Sequence, residues 1–314
     1  MIDFYLVTGF LGAGKTTFLK RLITAFQGQS LRLIINEFGR ASVDGALLES
    51  LSDVEEITDG SIFCTCRIDR FEAALKTSVE ANPDVIIVET SGLSDPSSIR
   101  EILRPYEQDG SIRFRGTICM VDAVRIEKVF SSARACKKQL AISDLVLINK
   151  ADLASEEQLR RAGELARLYC PHATILETSY GEIPKEILFG LSSAQRDVEI
   201  DNRPDLTLQK HTVYLSPAFA SAQLMHFLRM FAEDTYRIKG IVRLEDGAML
   251  VDCVGTTLSV APSEVKPPAD NALTVLAGEG MPLRKSLKAA VSHYDGFVSL
   301  DSPLNPGSED ADAG

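Results

Sequence analysis

Phe4-Tyr-Leu-Val-Thr-Gly-Phe-Leu-Gly-Ala-Gly-Lys-Thr-Thr17 is the stretch on which the fold turns. Phe4 to Val7 are mostly apolar and read as a short buried strand. Gly9-Phe-Leu-Gly12-Ala13-Gly14-Lys15-Thr16 then fits the phosphate-binding loop pattern G-x-x-x-x-G-K-S/T. Phe18, Leu19, Leu22, Ile23 and Phe26 follow at helical spacing on one face. Strand, glycine-rich loop and helix therefore occur in the order the chemistry needs. The glycines let the backbone curl with its N–H groups turned inward, where they can cradle phosphate oxygens. A helix starting at the end of the loop adds the positive end of its dipole. Lys15 is placed to reach the β- and γ-phosphates, and the Thr16 hydroxyl to ligate Mg²⁺, with the whole of Gly9 to Thr17 holding the nucleotide.

Outward from this core, strands and helices alternate. Leu31 to Ile35 is a second buried strand, followed by Asn36-Glu37-Phe38-Gly39 and Ser42-Val43-Asp44. Glu37 and Asp44 are candidates for Mg²⁺ or water positioning, against the alternative of a solvated loop. A helix is expected from Arg70 to Glu80. Asp84-Val-Ile-Ile-Val-Glu89 has the form of a Walker B strand delivering the Glu89 carboxylate to Mg²⁺, and Gly92 just beyond lets a backbone N–H approach the γ-phosphate. Residues 114 to 123 give a strand ending in Asp122, and residues 133 to 142 a helix. Asp144-Leu-Val-Leu-Ile-Asn149-Lys150-Ala151-Asp152 is a strand followed by N-K-x-D. The Asp152 carboxylate can accept hydrogen bonds from the N1–H and 2-amino groups of guanine, which adenine does not offer in that arrangement. Asn149 would tie strands together and contact the base, and the Lys150 stem would cover the ring. Ser155-Glu-Glu-Gln158 is a capping box opening a helix to Tyr169. The strand Ala173 to Ser179 ends where Ser179 can also touch the base.

These alternations predict an α/β P-loop NTPase over residues 1–190: a mostly parallel sheet with helices on both faces and ligands at the carboxyl ends of the strands. Residues 191–207 lose periodicity and read as a linker. Residues 208–300 read as a smaller α+β domain: strands at His211–Leu215, Tyr236–Leu244, Met249–Val254, Thr257–Val260, Leu273–Leu276 and Phe297–Leu300, and helices at Ala220–Ala232 and Pro282–Ser292. Residues 301–314, rich in Pro, Gly, Ser and acids, are expected to be disordered.

The 314 residues carry a formal net charge of −11, which argues against nucleic acid and anionic membrane surfaces as partners. There is no run of 18 apolar residues and no signal peptide, so a cytoplasmic protein is expected, monomer or homodimer. The six cysteines, at 64, 66, 119, 136, 170 and 253, are then reduced, and only Cys64 and Cys66 lie close together. His172, His211, His226 and His293 are dispersed along the chain and read as packed or solvated.

Gly9-Phe-Leu-Gly-Ala-Gly-Lys-Thr-Thr17, Asn36-Glu-Phe-Gly39 with Ser42-Val-Asp44, Glu89-Thr-Ser-Gly-Leu-Ser-Asp-Pro96 and Asn149-Lys-Ala-Asp152 together resemble the CobW-like GTPases. These stand alongside the urease and hydrogenase accessory GTPases. The resemblance runs from residue 1 to about residue 180, and extends more weakly to the family's C-terminal domain around Tyr236-Arg-Ile-Lys-Gly-Ile-Val-Arg-Leu244. It implies GTP hydrolysis, with Mg²⁺, coupled to metal insertion or trafficking, often of Zn²⁺ or Co²⁺; with no residue standing out to position water beyond the candidates Glu37 and Asp44, turnover is expected to be slow. The implied partner is a client metalloenzyme or corrinoid protein.

One departure matters. The family has Gly-Cys-x-Cys-Cys before the Walker B element, and those thiolates bind the cargo metal. Here the stretch is Gly60-Ser61-Ile62-Phe63-Cys64-Thr65-Cys66. Ser61 and Phe63 replace two family cysteines, only Cys64 matches, and Cys66 is extra. Two thiolates leave tetrahedral zinc short of ligands, and the resemblance offers Glu37 as a third. Two readings stand: an altered metal site at Cys64, Cys66 and Glu37, or ordinary cysteines on a loop that senses nucleotide without carrying metal. The second makes the protein a GTP-dependent switch or chaperone for a corrinoid enzyme. A metabolic kinase is disfavoured by N-K-x-D.

Overall fold

Ile2 to Gly9 form strand β1, and the direction of its side chains explains so apolar a run. Successive side chains point to opposite faces of a sheet. Tyr5 and Val7 enter one hydrophobic cluster, Phe4 and Leu6 another, so both faces are buried. Helix α1 (Lys15–Ala25) closes the first cluster with Phe18, Leu19 and Leu22. Helices α2 (Ile68–Glu80) and α3 (Ile99–Gln108) close the second with Phe71, Leu75, Ile99 and Leu103. Each such side chain contributes about 1.5–3 kcal/mol on burial, which pins β1 between two helical layers.

The structure, a computed structural model, describes residues 1–36, 53–57, 68–193, 208–278, 280–300 and 302. It divides into two compact units, residues 1–205 and 206–314. In the first, β2 (Leu31–Asn36), β3 (Asp53–Ile57), β4 (Val85–Glu89), β5 (Ile112–Asp122), β6 (Leu145–Asn149) and β7 (Thr174–Glu177) join β1 in a seven-stranded sheet of order β3-β2-β4-β1-β5-β6-β7. Every pairing is parallel. The chain builds first to the β4 side of β1 and then, from β5, to the other side. The carboxyl end of β1 is therefore at the switch point where open α/β sheets take their ligands.

All the strands expected in this unit are present, and four elements are added. β3 pairs with β2 at the sheet edge, where Asp-Val-Glu-Glu-Ile offers only two apolar residues for a pattern to show. α3 carries Pro105 inside it. α4 (Ile126–Ser132) and α7 (Lys185–Gly190) are two turns or less. Helix α5 (Arg134–Ala141) lies where one was expected, and α6 (Glu156–Tyr169) opens with the Ser155–Gln158 capping box, both bonds formed. At the start of the expected linker, Leu191 is buried and the Ser193 hydroxyl donates to Asp144 Oδ2 at 2.7 Å.

The second unit is a six-stranded antiparallel sheet of order β11-β10-β9-β12-β8-β13. Its strands are β8 (Leu208–Leu215), β9 (Arg237–Leu244), β10 (Gly247–Cys253), β11 (Val260–Pro262), β12 (Ala272–Gly278) and β13 (Val298–Ser299). Helices α8 (Ser221–Arg229) and α9 (Leu283–His293) cover its core through Leu224, Phe227, Leu283 and Leu287. The strand expected at Thr257–Val260 is a correction. Val254 and Thr257 exchange backbone bonds across a turn at Gly255, and the paired strand starts only at Val260. Buried Asn271 joins two strand ends: its Nδ2 donates to the Leu215 and Arg243 carbonyls at 2.7 and 3.0 Å, and its Oδ1 accepts from Arg243 N–H at 2.6 Å. Among the described residues no helix is long and apolar enough to cross a membrane.

Candidate functional site

The loop between β1 and α1 lies at the carboxyl edge of the sheet, and α1 starts at Lys15 directly after it. The first-turn N–H groups of such a helix have no intrahelical acceptor and present a positive end. No acidic residue occupies that turn. Lys15 is buried, with Nζ donating to the Gly9 carbonyl at 2.9 Å and the Phe10 carbonyl at 3.4 Å. Its ammonium stands 4.0 Å from Glu89 Oε1, at the end of β4. The lysine expected on the phosphates and the acid expected on Mg²⁺ thus meet at the ends of neighbouring strands. Thr16 is half-buried and Thr17 exposed beside them.

Two glycines are demanded by close approach. Gly14 has φ +101°, and a Cβ there would fall 2.3 Å from Asn149 Nδ2. A Cβ on Gly92 would lie 2.6 Å from the Leu11 backbone nitrogen, so the chain after β4 runs hard against the phosphate loop. Buried Gln139 of α5 holds that chain in place, donating from Nε2 to the Gly92 and Ser94 carbonyls at 3.2 and 3.0 Å. Lys138 pairs with Asp95 at 2.6 Å just beyond.

Asn149 is the centre of the other half. Its Nδ2 donates to the Ala13 carbonyl at 2.8 Å, and its Oδ1 accepts from Gly181 N–H at 3.0 Å. One buried amide therefore fastens the phosphate loop to the loop after β7. Lys150 follows with φ +64°, its ammonium 2.6 Å from Asp122 Oδ2 at the end of β5. Asp152 is exposed, and its backbone N–H donates to Ser179 Oγ at 3.1 Å, so N-K-x-D and Ser179 form one surface. Arg21 of α1 completes the frame: Nε donates to the Tyr180 carbonyl at 2.7 Å and Nη2 to Glu182 Oε1 at 2.9 Å. Tyr180 itself has φ +55° and is 63% exposed. A groove of about 910 Å³ lies along this flank, between Lys20, Arg21 and Thr24 of α1 and residues 177–179 and 182–185. No phosphate-loop residue lines it.

The residues expected to hold phosphate (Gly9, Gly12, Ala13, Gly14, Lys15, Thr16, Thr17, Glu89, Gly92) and those expected to hold a base (Asn149, Lys150, Asp152, Ser179) thus converge on one edge of the sheet. Glu37, Asp44, Cys64 and Cys66 lie outside the described residues. Among the described residues no group of three or more His, Cys, Asp or Glu could hold a metal ion. Cys119, Cys136, Cys170 and Cys253 are buried, and burial pushes the Cys119 thiol up to about 12 and Cys253 to about 11. Arg21, Gln139 and the partner of Lys150 were not foreseen as site residues. Arg21 and Gln139 lie on helix faces with no motif around them, and Asp122 showed only as a strand-end acid.

The profile described as CobW/HypB/UreG, nucleotide-binding domain, matches residues 3–177, and that of the cobalamin synthesis protein cobW C-terminal domain matches residues 208–292. The chain is 31% identical over 234 residues to the zinc chaperone CobW of Pseudomonas aeruginosa, covering 63% of this chain and 62% of that one. It is 25% identical over 297 residues to the zinc chaperone YeiR of Escherichia coli, covering 84% of this chain and 89% of that protein. The match therefore spans less than two thirds of the P. aeruginosa relative. A crystal structure of Zn(II)-bound YjiA GTPase from E. coli aligns with TM-score 0.44 at 21% identity, covering 93% of this chain and 98% of that one.

Proposed function

Since the chain belongs to the CobW/HypB/UreG family of nucleotide-binding proteins, we propose that it binds GTP with Mg²⁺, hydrolyses it slowly, and couples that cycle to delivery of Zn²⁺ or a similar cation to a client metalloprotein. The observation that carries this reading is the Asn149 clamp, which makes the phosphate loop and the N-K-x-D surface a single unit. A ligand spanning both needs phosphates at one end and a guanine-like edge at the other.

The geometry supports definite roles. The first-turn N–H groups of α1 and the loop backbone receive the β- and γ-phosphates. Lys15, now on the Gly9 and Phe10 carbonyls, is within reach of the same oxygens and offsets the charge that develops during in-line attack by water. Thr16 and Glu89 supply the oxygen donors a hard cation prefers, and Mg²⁺ held there would neutralise phosphate charge. Asp152 reads the guanine N1–H and 2-amino group, and Asp122 holds Lys150 so that its stem lies over the base. Glu37 and Asp44 are the candidates for orienting the attacking water. The zinc assignment comes from the names of the relatives. Cys64 and Cys66, with Glu37, are the ligands proposed for the cargo ion.

Two substitutions test the nucleotide half. Lys15→Ala is expected to lower kcat for GTP by about 10²–10³, the usual cost of removing one preorganised charge donor. Asp152→Asn should move preference from GTP to xanthosine triphosphate, whose 2-oxo group accepts from the new amide. Unchanged turnover in the first, or equal loss of both nucleotides in the second, overturns the assignment. The replacement of two family cysteines by Ser61 and Phe63 favours a second reading, a GTP-dependent switch that carries no metal. Its mark is client capture that requires a non-hydrolysable GTP analogue and survives loss of Cys64 and Cys66.

A further inference from the structure

The C-terminal unit brings together two histidines that are 67 positions apart in the chain. His226 lies in the last turn of α8, and His293 is the final residue of α9. Both are exposed, and their ring centroids stand 5.9 Å apart. His226 Nδ1 is 2.8 Å from the Tyr294 hydroxyl. Tyr294 is itself fixed, packing edge-on against Phe219 and Phe227 with centroids at 5.1 and 5.8 Å. From this geometry we propose that His226 and His293 form a second metal site, one that takes a borderline divalent cation such as Zn²⁺ through two imidazole nitrogens and completes its shell with water.

Three features support it. Two imidazoles on one tetrahedral zinc, each bound at about 2.0–2.1 Å, place their ring centroids about 5–5.5 Å apart. The observed separation is a small rotation of the exposed His293 side chain from that value. Next, a ligating histidine commonly has its other ring nitrogen held by an oxygen, which fixes tautomer and ring plane. Tyr294 does this for Nδ1 of His226 and leaves Nε2 to bind. Finally, both histidines sit at helix C-termini, where backbone carbonyls present the negative end of the dipole to a cation. Arg229 shares the last turn of α8, but it is exposed and its charge is screened by solvent.

Among the described residues no third His, Cys, Asp or Glu joins the pair in a metal-holding group. A structural zinc site is closed by four protein ligands, whereas a site with open positions exchanges its ligands readily. Two imidazoles and water make a labile site, suited to taking up or passing on an ion. The proposal does not depend on the nucleotide site, and it stands or falls apart from Cys64 and Cys66.

The test uses the full reduced chain carrying Cys64→Ala and Cys66→Ala, titrated with Zn²⁺ alone and followed by the imidazole nitrogen and carbon-bound proton NMR signals. With four histidines in the chain, the assignment is tractable. The His226 and His293 signals should move together and saturate at one equivalent, while His172 and His211 stay in place. Adding His226→Ala or His293→Ala should weaken Zn²⁺ binding by about tenfold or more, and the unmoved His172 and His211 signals report that the fold is kept. Signals of His226 and His293 that do not respond, a uniform shift of all four histidines, or equal affinity in the histidine variants would overturn the proposal. None of these outcomes bears on GTP binding, which is read separately by Lys15→Ala.

Discussion

Asn149 and Gly14 show how much of the site depends on single atoms. The Asn149 amide reaches the Ala13 carbonyl only because Gly14 has no side chain, and a Cβ there would collide with Asn149 Nδ2. Gly14 also holds φ +101°, a backbone state that costs a non-glycine residue about 1–3 kcal/mol. Gly14→Ala should therefore destabilise the protein by about that amount and weaken GTP binding by more than about tenfold, as the clamp is pushed aside. Gly110, at φ +77° with nothing within 4 Å of an added Cβ, is the control. Gly110→Ala should carry the backbone cost alone and leave GTP affinity unchanged. Calorimetric binding beside thermal unfolding reads both; equal GTP affinity in Gly14→Ala would refute the clamp. The motif G-K-T named Gly14, and N-K-x-D named Asn149, yet neither named their contact. A motif records which residue type is needed, while the partner is fixed only when β1 and β6 are brought to the same edge of the sheet.

At the scale of elements, α1 has two jobs. Its first turn carries Lys15 and the N–H groups proposed to receive the phosphates, and one turn later Arg21 grips the Tyr180 carbonyl and Glu182. The pair is exposed, so its worth to global stability is small, about 0–1 kcal/mol. Its effect is on the conformation of the loop, which Gly181 seats tightly: a Cβ there would lie 3.0 Å from Phe18 Cβ. We expect Arg21→Ala to raise KM for GTP by about tenfold with kcat nearly unchanged, the signature of lost uniform binding. A fall in kcat at constant KM would contradict a positioning role for Arg21. β1, β4 and β6 were legible because they are buried on both faces and carry unbroken apolar runs. β3, α4 and α7 were not, because β3 offers only two apolar residues in five and a helix of two turns or less is too short to show a period. In the second unit the start of β11 was displaced by the turn at Gly255, which depends on which carbonyl pairs with which N–H rather than on composition.

As a whole molecule, the chain joins an all-parallel nucleotide-binding sheet to an antiparallel unit with its own core. The cargo ligands proposed from sequence fall between β2 and α2 and outside the described residues; β2 itself ends beside β4, with Ile35 paired to Glu89. In strand order β2 is the neighbour of β4, and β3, the last described strand before Cys64 and Cys66 in the chain, is one place further out, at the sheet edge. The dispersed histidines read from sequence as packed or solvated because sequence distance hides the meeting of His226 with His293 and of Phe227 with Tyr294 at two helix ends.

The central claim is that nucleotide and metal are linked, and linkage must appear as an affinity difference. The most direct measurement is a Co²⁺ titration of the reduced full chain, loaded with a non-hydrolysable GTP analogue or with GDP, followed by thiolate-to-metal absorption and repeated with Cys64→Ala and Cys66→Ala. Linkage requires one tightly bound ion per chain with thiolate absorption, an affinity that differs by about fivefold or more between the nucleotide states, and loss of the absorption in both variants. Absorption that is absent, or an affinity equal in both nucleotide states and in the variants, would contradict it.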